Sequence, residues 1–115
     1  MTLTFPLPPK CLHPNARSHW KAKMRPKKNY RAEAALIASQ ARLSEPFKRA
    51  TVQLTFYLAR RQDADNLLAW CKPLFDGMQD GGLIANDSGL TFLPCLQVTG
   101  KGLDYRVELT IQGEA

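Results

Sequence analysis

The sequence has few of the residues that build covalent cross-links or soft-metal sites. Its three cysteines, Cys11, Cys71 and Cys95, are widely spaced and form no CxxC pair. With only His13 and His19 as further candidate ligands, they do not match the spacing of a zinc site. We therefore expect free thiols in a reducing compartment rather than a disulfide framework.

Long apolar segments are also lacking. The sequence has no uninterrupted apolar run of about 18 residues, which argues against a transmembrane helix. Residues 1–9 have neither the basic start nor the long apolar stretch of a secretory signal. The length of 115 residues is close to the commonest domain size, and an apolar content of 44% is ordinary for a globular protein. We therefore expect residues 1–115 to form a single domain in the cytoplasm.

Acidic residues are lacking in the first third of the chain. No aspartate or glutamate precedes Glu33, whereas eight of the sixteen lysines and arginines do, in a protein of net charge +6. Such a concentration of positive charge is typical of proteins that bind polyanions, and we expect it to contact DNA phosphates. The predicted DNA-binding residues are Arg17, Lys21, Lys23, Arg25, Lys27, Lys28, Arg31, Arg60 and Arg61.

Two features near these cations have more than one interpretation. Trp20 stands among lysines and arginines, where it could stack on an unpaired base or serve as a buried aromatic anchor. Arg60 and Arg61 directly precede the acidic segment, where they could contact the DNA backbone or simply be solvated charges at the end of a strand.

Alternating apolar residues predict strands in several parts of the chain. The alternation is clearest in residues 51–59, where Val52, Leu54, Phe56 and Leu58 fall on one face. The last two predicted strands flank a glycine-containing turn and are expected to pair as a hairpin, with Pro94 marking a bulge or an edge. The predicted strands are residues 2–7, 51–59, 90–98 and 103–111.

Two segments have apolar residues at helical spacing. Residues 27–43 are the first predicted helix, and the preceding residues 10–26 are expected to be a loop because of their prolines and cations. Residues 63–79 are the second, with a kink at Pro73. Together these elements predict an α+β fold, with a mostly antiparallel or mixed sheet and two main helices on one side.

The acidic residues are concentrated in the second helix and the turn after it. Five of the ten acidic residues lie between positions 63 and 87. Carboxylates so close together repel one another unless a cation lies between them, and their oxygens are suitable ligands for Mg²⁺ or Mn²⁺. If the turn containing Asp87 folds back, Asp63, Asp65 and Asp87 would be metal ligands, and Lys72 would stabilise negative charge on a phosphodiester that is being hydrolysed.

Each of these residues also has a plain structural interpretation. Asp63 is well placed to cap a helix N-terminus. Lys72 and Asp76 are four residues apart and could form a surface ion pair. Asp80 could be a solvated helix end, and Asp87 could be an ordinary turn residue. The cluster as a whole could be a structural ion network.

The order of these motifs resembles one known family. Asp63-Ala64-Asp65-Asn66-Leu67, then Lys72, Asp76-Gly77 and Asn86-Asp87-Ser88, are similar to the RusA-like Holliday-junction resolvases, small enzymes often carried by phages and prophages. Residues 14–20 and Tyr30-Arg31 fit the phage members, and the resemblance covers about residues 5–111. In the shorter form of the motif the lysine comes four residues after the second aspartate, where this chain has Ala69. We align Lys72 instead, because Phe75-Asp76 follows it.

The resemblance implies an activity and a set of roles. In that family three aspartates bind the metal and a lysine assists, which here are Asp63, Asp65, Asp87 and Lys72. The family implies a homodimer that cuts DNA four-way junctions with Mg²⁺ or Mn²⁺. Either the predicted C-terminal hairpin or the apolar edge around Phe92 and Leu96 could supply the dimer contact. The alternatives are a non-catalytic protein that binds branched DNA, and a general nuclease for flaps or branched DNA.

Overall fold

A computed structural model describes residues 1–114 of the chain. Over these residues the chain forms a five-stranded sheet, three α-helices and two short 3₁₀ turns. None of these helices is long and apolar enough to cross a membrane. The elements in chain order are β1 (Thr2–Pro6), a 3₁₀ turn (Lys10–Leu12), α1 (Trp20–Ser39), β2 (Arg49–Leu58), α2 (Ala64–Trp70), α3 (Lys72–Asp80), a second 3₁₀ turn (Asp87–Gly89), β3 (Leu90–Phe92), β4 (Leu96–Thr99) and β5 (Arg106–Glu114).

Strand β2 is the centre of the sheet. On one side it pairs antiparallel with β5, with Val52 opposite Ile111, and β1 pairs antiparallel with the far side of β5. On the other side β3 and β4 follow one another along β2, and both run parallel to it. The sheet is therefore mixed, and the predicted α+β class is confirmed.

The alternation predicted for residues 51–59 is confirmed. The even-numbered residues of β2, Ala50 through Leu58, are buried, whereas the odd-numbered side chains are exposed or half-buried. The buried face joins one hydrophobic core with the apolar faces of the helices, which include Tyr30 from α1 and Leu74 and Met78 from α3. This burial ties the first residues of α3 to the central strand.

Helices α1 and α3 approach each other closely at Gly77. A Cβ atom built there would lie 2.6 Å from the Cβ of Ala34 and 2.6 Å from the carbonyl oxygen of Arg31. Since real Cβ contacts are not that short, only glycine fits without a shift of one helix. The position sets how close α1 lies to the helix that carries Lys72 and Asp76.

The predicted hairpin of residues 90–98 and 103–111 is wrong. Strands β4 and β5 do not pair with each other, because β2 lies between them and pairs with both. The chain reverses after β4 through Gly100 and Gly102, which have φ values of 157° and 76°. Pro94 interrupts the earlier segment, which is two short edge strands instead of one. A pattern of alternation identifies a strand but does not identify its partner.

The helix boundaries also differ from the prediction. Helix α1 begins at Trp20, seven residues before the predicted start, and contains Pro26. The His19 side chain accepts a hydrogen bond from the Lys21 amide and so caps the helix. The predicted helix 63–79 is two helices that meet at Cys71, and Pro73 lies in the first turn of α3, where its missing amide hydrogen is not needed.

Candidate metal and phosphate site

Asp63 and Asp65 lie at the start of α2, and both are exposed. Asp63 is the N-cap residue, and its Oδ1 accepts a hydrogen bond of 2.8 Å from the amide of Asp65. The capping interpretation of Asp63 is therefore confirmed. Its second carboxylate oxygen has no hydrogen bond within residues 1–114, so capping does not use all of the side chain's capacity as a ligand.

Lys72 begins α3 and joins two carboxylates. Its Nζ lies 3.1 Å from Oδ1 of Asp76, one helical turn later, and it also contacts Oδ2 of Asp87. The ion pair considered for Lys72 and Asp76 is present, and the segment that follows α3 folds back to Lys72 at the start of that helix. The hydrogen bonds to Asp87 and then to Asp76 raise the pKa of the Lys72 ammonium, which stays charged at neutral pH.

Local hydrogen bonds and packing position the turn that carries Asp87. The Asn86 side-chain oxygen accepts a hydrogen bond of 3.0 Å from the Ser88 amide. Gly89 passes so close to the carbonyl oxygen of Lys48 that a Cβ there would overlap with it. Immediately afterwards β3 joins the sheet beside β2. Asp87 is thus held between the start of β3, which follows it in the chain, and the start of α3, where Lys72 contacts it.

The structure brings only some of the predicted residues into contact. Lys72, Asp76 and Asp87 form one cluster, whereas no described hydrogen bond or ion pair joins Asp63 or Asp65 to Asp87. Among the described side chains, those of residues 1–113, no three carboxylates, histidines or cysteines are arranged as a ready set of metal ligands. The oxygen donors are of the type that suits Mg²⁺ or Mn²⁺. In their present arrangement the Lys72 ammonium is the cation between Asp76 and Asp87.

Of the α2 carboxylates, Asp65 shares a face of the helix with a residue that lines the cleft containing Asp87. Ala69 follows Asp65 by four residues, so the two share one face of α2. Ala69 and Lys72 both line a cleft of about 520 Å³ that also contains Asp87, Phe75 and other residues. We refer to this cleft, lined by Leu68, Ala69, Lys72, Phe75, Asp87 and Phe92, as the aspartate cleft. Asp65 stands one helical turn from Ala69.

The segment that leads into Asp63 has a support that the sequence did not indicate. The Gln97 side chain from β4 accepts a hydrogen bond from the Gln62 amide at 2.9 Å and donates one to the Gln62 carbonyl oxygen at 2.8 Å. Nδ1 of His13 accepts from the Asn15 amide, so its Nε2 carries the hydrogen that is donated to Oε1 of Gln62 at 2.8 Å. No spacing rule connects residues so far apart in the chain.

One predicted DNA-binding residue, Arg31, already forms an ion pair within the protein. Arg31 donates two hydrogen bonds to the carboxylate of Asp80, with lengths of 2.5 and 2.9 Å. This contact raises the pKa of Arg31 and lowers the pKa of Asp80. Asp80 is exposed, as a solvated helix end would be, but its partner is Arg31, and the pair joins α1 to the end of α3.

The other predicted DNA contacts have no ion-pair partner among the side chains that the structure describes, those of residues 1–113. Except for Lys23, which is half-buried, all of them are exposed. Trp20 is 61% exposed, which excludes the interpretation of this residue as a buried anchor. The unpaired cations are Arg17, Lys21, Lys23, Arg25, Lys27, Lys28, Arg60 and Arg61.

A second cleft lies on the α1 side of Lys72. It has a volume of about 400 Å³ and lies between the first two turns of α1 and the junction of α2 with α3. Lys72 and Ala69 line both clefts and thus separate them. We refer to this one as the lysine cleft, and the residues that define it are Trp20, Lys23, Met24, Lys27, Trp70 and Lys72.

The cysteines take no part in either cleft. All three are free thiols, as predicted. Cys71 is buried at the α2–α3 junction, and burial raises the pKa of its thiol. Burial likewise raises the pKa of Cys95. Neither thiol has the lowered pKa that a nucleophilic cysteine needs.

Comparison with known proteins identifies a relative of this chain. An uncharacterized protein of Xylella fastidiosa (strain Temecula1 / ATCC 700964) is 40% identical over 85 residues, which cover 69% of this chain and 56% of that protein. The chain therefore matches little more than half the length of this relative. No family model matches the sequence. The match supplies a relative and no activity.

Proposed function

We propose that this protein is a divalent-metal-dependent endonuclease that hydrolyses phosphodiesters at DNA four-way junctions. The observation that carries the proposal is the contact between Lys72 and Asp87. These residues are fifteen positions apart, and they are the lysine and the last aspartate of the motif that resembles the RusA-like resolvases. A shared site requires such a contact, whereas a residue that only forms a turn does not need one.

The proposal gives each side chain one role. Asp63, Asp65 and Asp87 would hold Mg²⁺ or Mn²⁺, which when bound neutralises the phosphate and activates the attacking water. Lys72 would donate a hydrogen bond to the oxygen on which negative charge develops. Asp76 is a second anchor for the Lys72 ammonium, so that the lysine keeps one carboxylate partner when Asp87 has another ligand. The raised pKa of Lys72 keeps its side chain protonated, so that it can donate hydrogen bonds.

The DNA backbone would lie along the unpaired cations of α1 and Arg60 and Arg61. Contacts of this kind depend on salt and carry little base specificity, which suits an enzyme that recognises the shape of a junction. We expect it to act in the cytoplasm, where its thiols stay reduced.

A homodimer would match the two-fold symmetry of a four-way junction with one site for each cut strand. The edge formed by β3 and β4 is our candidate for the dimer contact, because large apolar side chains are exposed along it. These are Phe92, Leu93, Leu96 and Val98.

Junction cleavage with and without Mg²⁺ tests the proposal. We expect the wild-type protein to cut a synthetic four-way junction only with Mg²⁺ or Mn²⁺, leaving 5′-phosphate and 3′-hydroxyl ends. Asp65→Asn should bind the junction and fail to cut it. Asp104→Asn, which alters an exposed aspartate outside the cluster, is the matched control and should cut normally.

Two results would replace this proposal with one of its alternatives. If the wild-type protein binds junctions but cuts with neither metal, it is a non-catalytic protein that binds branched DNA. If flaps and three-way junctions are cut as fast as four-way junctions, it is a general nuclease for branched DNA.

A further inference from the structure

The lysine cleft combines an exposed aromatic surface with unpaired cations. Trp20 and Met24 are 61% and 59% exposed, which is high for such large apolar side chains. Trp20, Lys23, Met24 and Lys27 follow one another at spacings of three, one and three residues, so they form one face of α1. That face points across the cleft toward Trp70 and Lys72.

The charge of this face is not compensated by the chain itself. Residues 20–32 of α1 contain no acidic residue. Lys23 and Lys27 have no carboxylate partner among the side chains of residues 1–113. Lys72, the third ammonium at the cleft, is already paired with Asp76 and Asp87, and Asp87 lines the aspartate cleft. An anion that binds at Lys23 and Lys27 therefore displaces no existing ion pair.

The size and the apolar lining narrow the ligand further. A volume of about 400 Å³ is within the range of sites for small organic ligands. The Trp20 indole offers a flat surface, and the Nζ of Lys21 lies 5.7 Å from its ring centre. Lysines alone would accept any anion, but a flat indole beside them suits a planar base attached to a phosphate. A base inside a duplex is stacked on both faces, so only an unpaired base can use this surface.

We propose that the lysine cleft binds one unpaired nucleotide of a DNA strand, with its base against Trp20 and Met24 and its phosphates at Lys23 and Lys27. Because Lys72 lines both clefts, the backbone of that strand passes beside Asp87. The inference deepens the proposed function and rests on it for the identity of the strand, which would be the one unstacked at the branch point of a junction.

Fluorescence of 2-aminopurine in metal-free buffer tests the inference. The probe is a short single strand of DNA with one 2-aminopurine, compared with the same strand in a duplex. Stacking of the analogue on Trp20 should quench its emission in the single strand and leave the duplex unchanged. Trp20→Ala should remove the quenching and weaken binding by about fivefold or more, in line with the usual contribution of a stacked base. Met24→Ala should reduce both effects.

Two adjacent lysines provide a matched pair of variants. Lys27 lines the cleft, and Lys28 is exposed elsewhere on α1. Lys27→Ala should weaken binding of the single strand and lower the slope of log affinity against log salt by about 0.7, the effect of one lost phosphate contact. Lys28→Ala should leave the quenching and the slope near the wild-type values. Circular dichroism of each variant, with α1 helicity expected to be unchanged, checks the fold.

Three results would overturn the inference. The first is quenching of the single-stranded probe that persists with the Trp20→Ala variant. The second is an equal loss of binding in Lys27→Ala and Lys28→Ala. The third is quenching of the duplex probe that equals quenching of the single strand. An RNA version of the probe tests whether the cleft prefers deoxyribose or ribose. If the protein quenches only the emission of the RNA probe, the assignment to DNA is overturned. The assay contains EDTA and needs no cleavage, so its failure is distinct from failure of the proposed function. A protein that cuts junctions without quenching has the function but not this pocket, and the reverse result identifies a pocket without the enzyme.

Discussion

The two ends of α3 hold their charges differently. At the C-terminal end, Arg31 and Asp80 form a pair of one cation and one carboxylate. At the N-terminal end, a single ammonium, that of Lys72, serves both Asp76 and Asp87. The first arrangement is neutral, whereas the second has one surplus negative charge, and two more carboxylates stand at the start of α2.

This difference separates a structural contact from a candidate site. The Arg31–Asp80 pair joins α1 to α3 and leaves no charge for a ligand. The surplus carboxylate at the other end repels its neighbours, and a divalent cation would relieve that repulsion. The distinction depends on the balance of charges in each cluster, because both clusters are at least partly exposed to solvent and neither is expected to contribute much to stability.

The sharpest test exchanges one aspartate at each end. Asp87→Asn should reduce junction cleavage to the level without enzyme, because it removes a proposed metal ligand and a partner of Lys72. Asp80→Asn should cut at the wild-type rate. The measurement is the initial rate on a four-way junction with Mg²⁺. Equal loss in the two variants would show that both clusters act through the fold alone.

Removing the shared cation should have the next largest effect. Lys72→Met leaves Asp76 and Asp87 without a counter-charge, and we expect junction cleavage to fall by about a hundredfold, the usual effect of losing one donor to developing charge. The same variant should gain more thermal stability from added Mg²⁺ than the wild type does, because the two carboxylates then lack a cation. The control is Lys101→Met, an exposed lysine outside the site. No difference in the Mg²⁺ effect would contradict a metal site here.

Gly77 lies between the two ends of α3, where that helix packs closely against α1. A larger residue there should disturb the packing of the whole helix on α1. Gly77→Ala places a Cβ 2.6 Å from Ala34 and from the Arg31 carbonyl oxygen. We expect a loss of about 1–3 kcal/mol in the free energy of unfolding from overpacking. Urea denaturation measures this loss. A substitution of Gly82 is not a suitable control, because its φ of 80° would strain any other residue. Gln79→Ala, an exposed position on the same helix, is suitable. An unchanged midpoint for Gly77→Ala would mean that α1 and α3 separate easily.

The smallest expected effect is the pH dependence of the two clusters. Arg31 lowers the pKa of Asp80 below its ordinary value of 3.8, so the stabilisation is present above that pH and is lost as the pH falls through the lowered pKa. The pKa of Lys72 is raised above 10.5, so its contribution is present below that pH and is lost as the pH rises further. Thermal midpoints of the wild type and Arg31→Gln should therefore differ slightly at neutral pH and converge in strong acid. A difference that persists in acid would exclude the ion pair as its cause.

Elements with a strong local pattern were predicted well. The alternation in β2 and the apolar face of α3 appear in the structure because one buried side is enough to specify each period. The break at Cys71 and the long α1 were not predicted. A proline suits the first turn of a helix and can be accommodated within one, so its presence did not decide between a kink, a break and a loop.

The candidate site was predicted in part. The convergence of Asp87 with Asp63, Asp65 and Lys72 was conditional on the path of the chain, and the structure contains the contact with Lys72. The capping role of Asp63 and the Lys72–Asp76 pair, which were plain alternatives, are present as well. The pairing of Arg31 with Asp80 and the support of Gln62 by Gln97 had no signal in spacing, because each joins segments that only the packed core brings together.

The sequence by itself determined the separation of a cationic first third from an acidic middle, and the faces that α3 and β2 bury. Charge and periodicity belong to residues near one another in the chain, so they can be read without a fold. Only the tertiary structure decided which carboxylates meet Lys72, which cations remain free, and that two clefts share that lysine. Those features depend on side-chain distances of a few ångströms between distant segments, and such distances follow from the packing of α1 and α3 on the sheet.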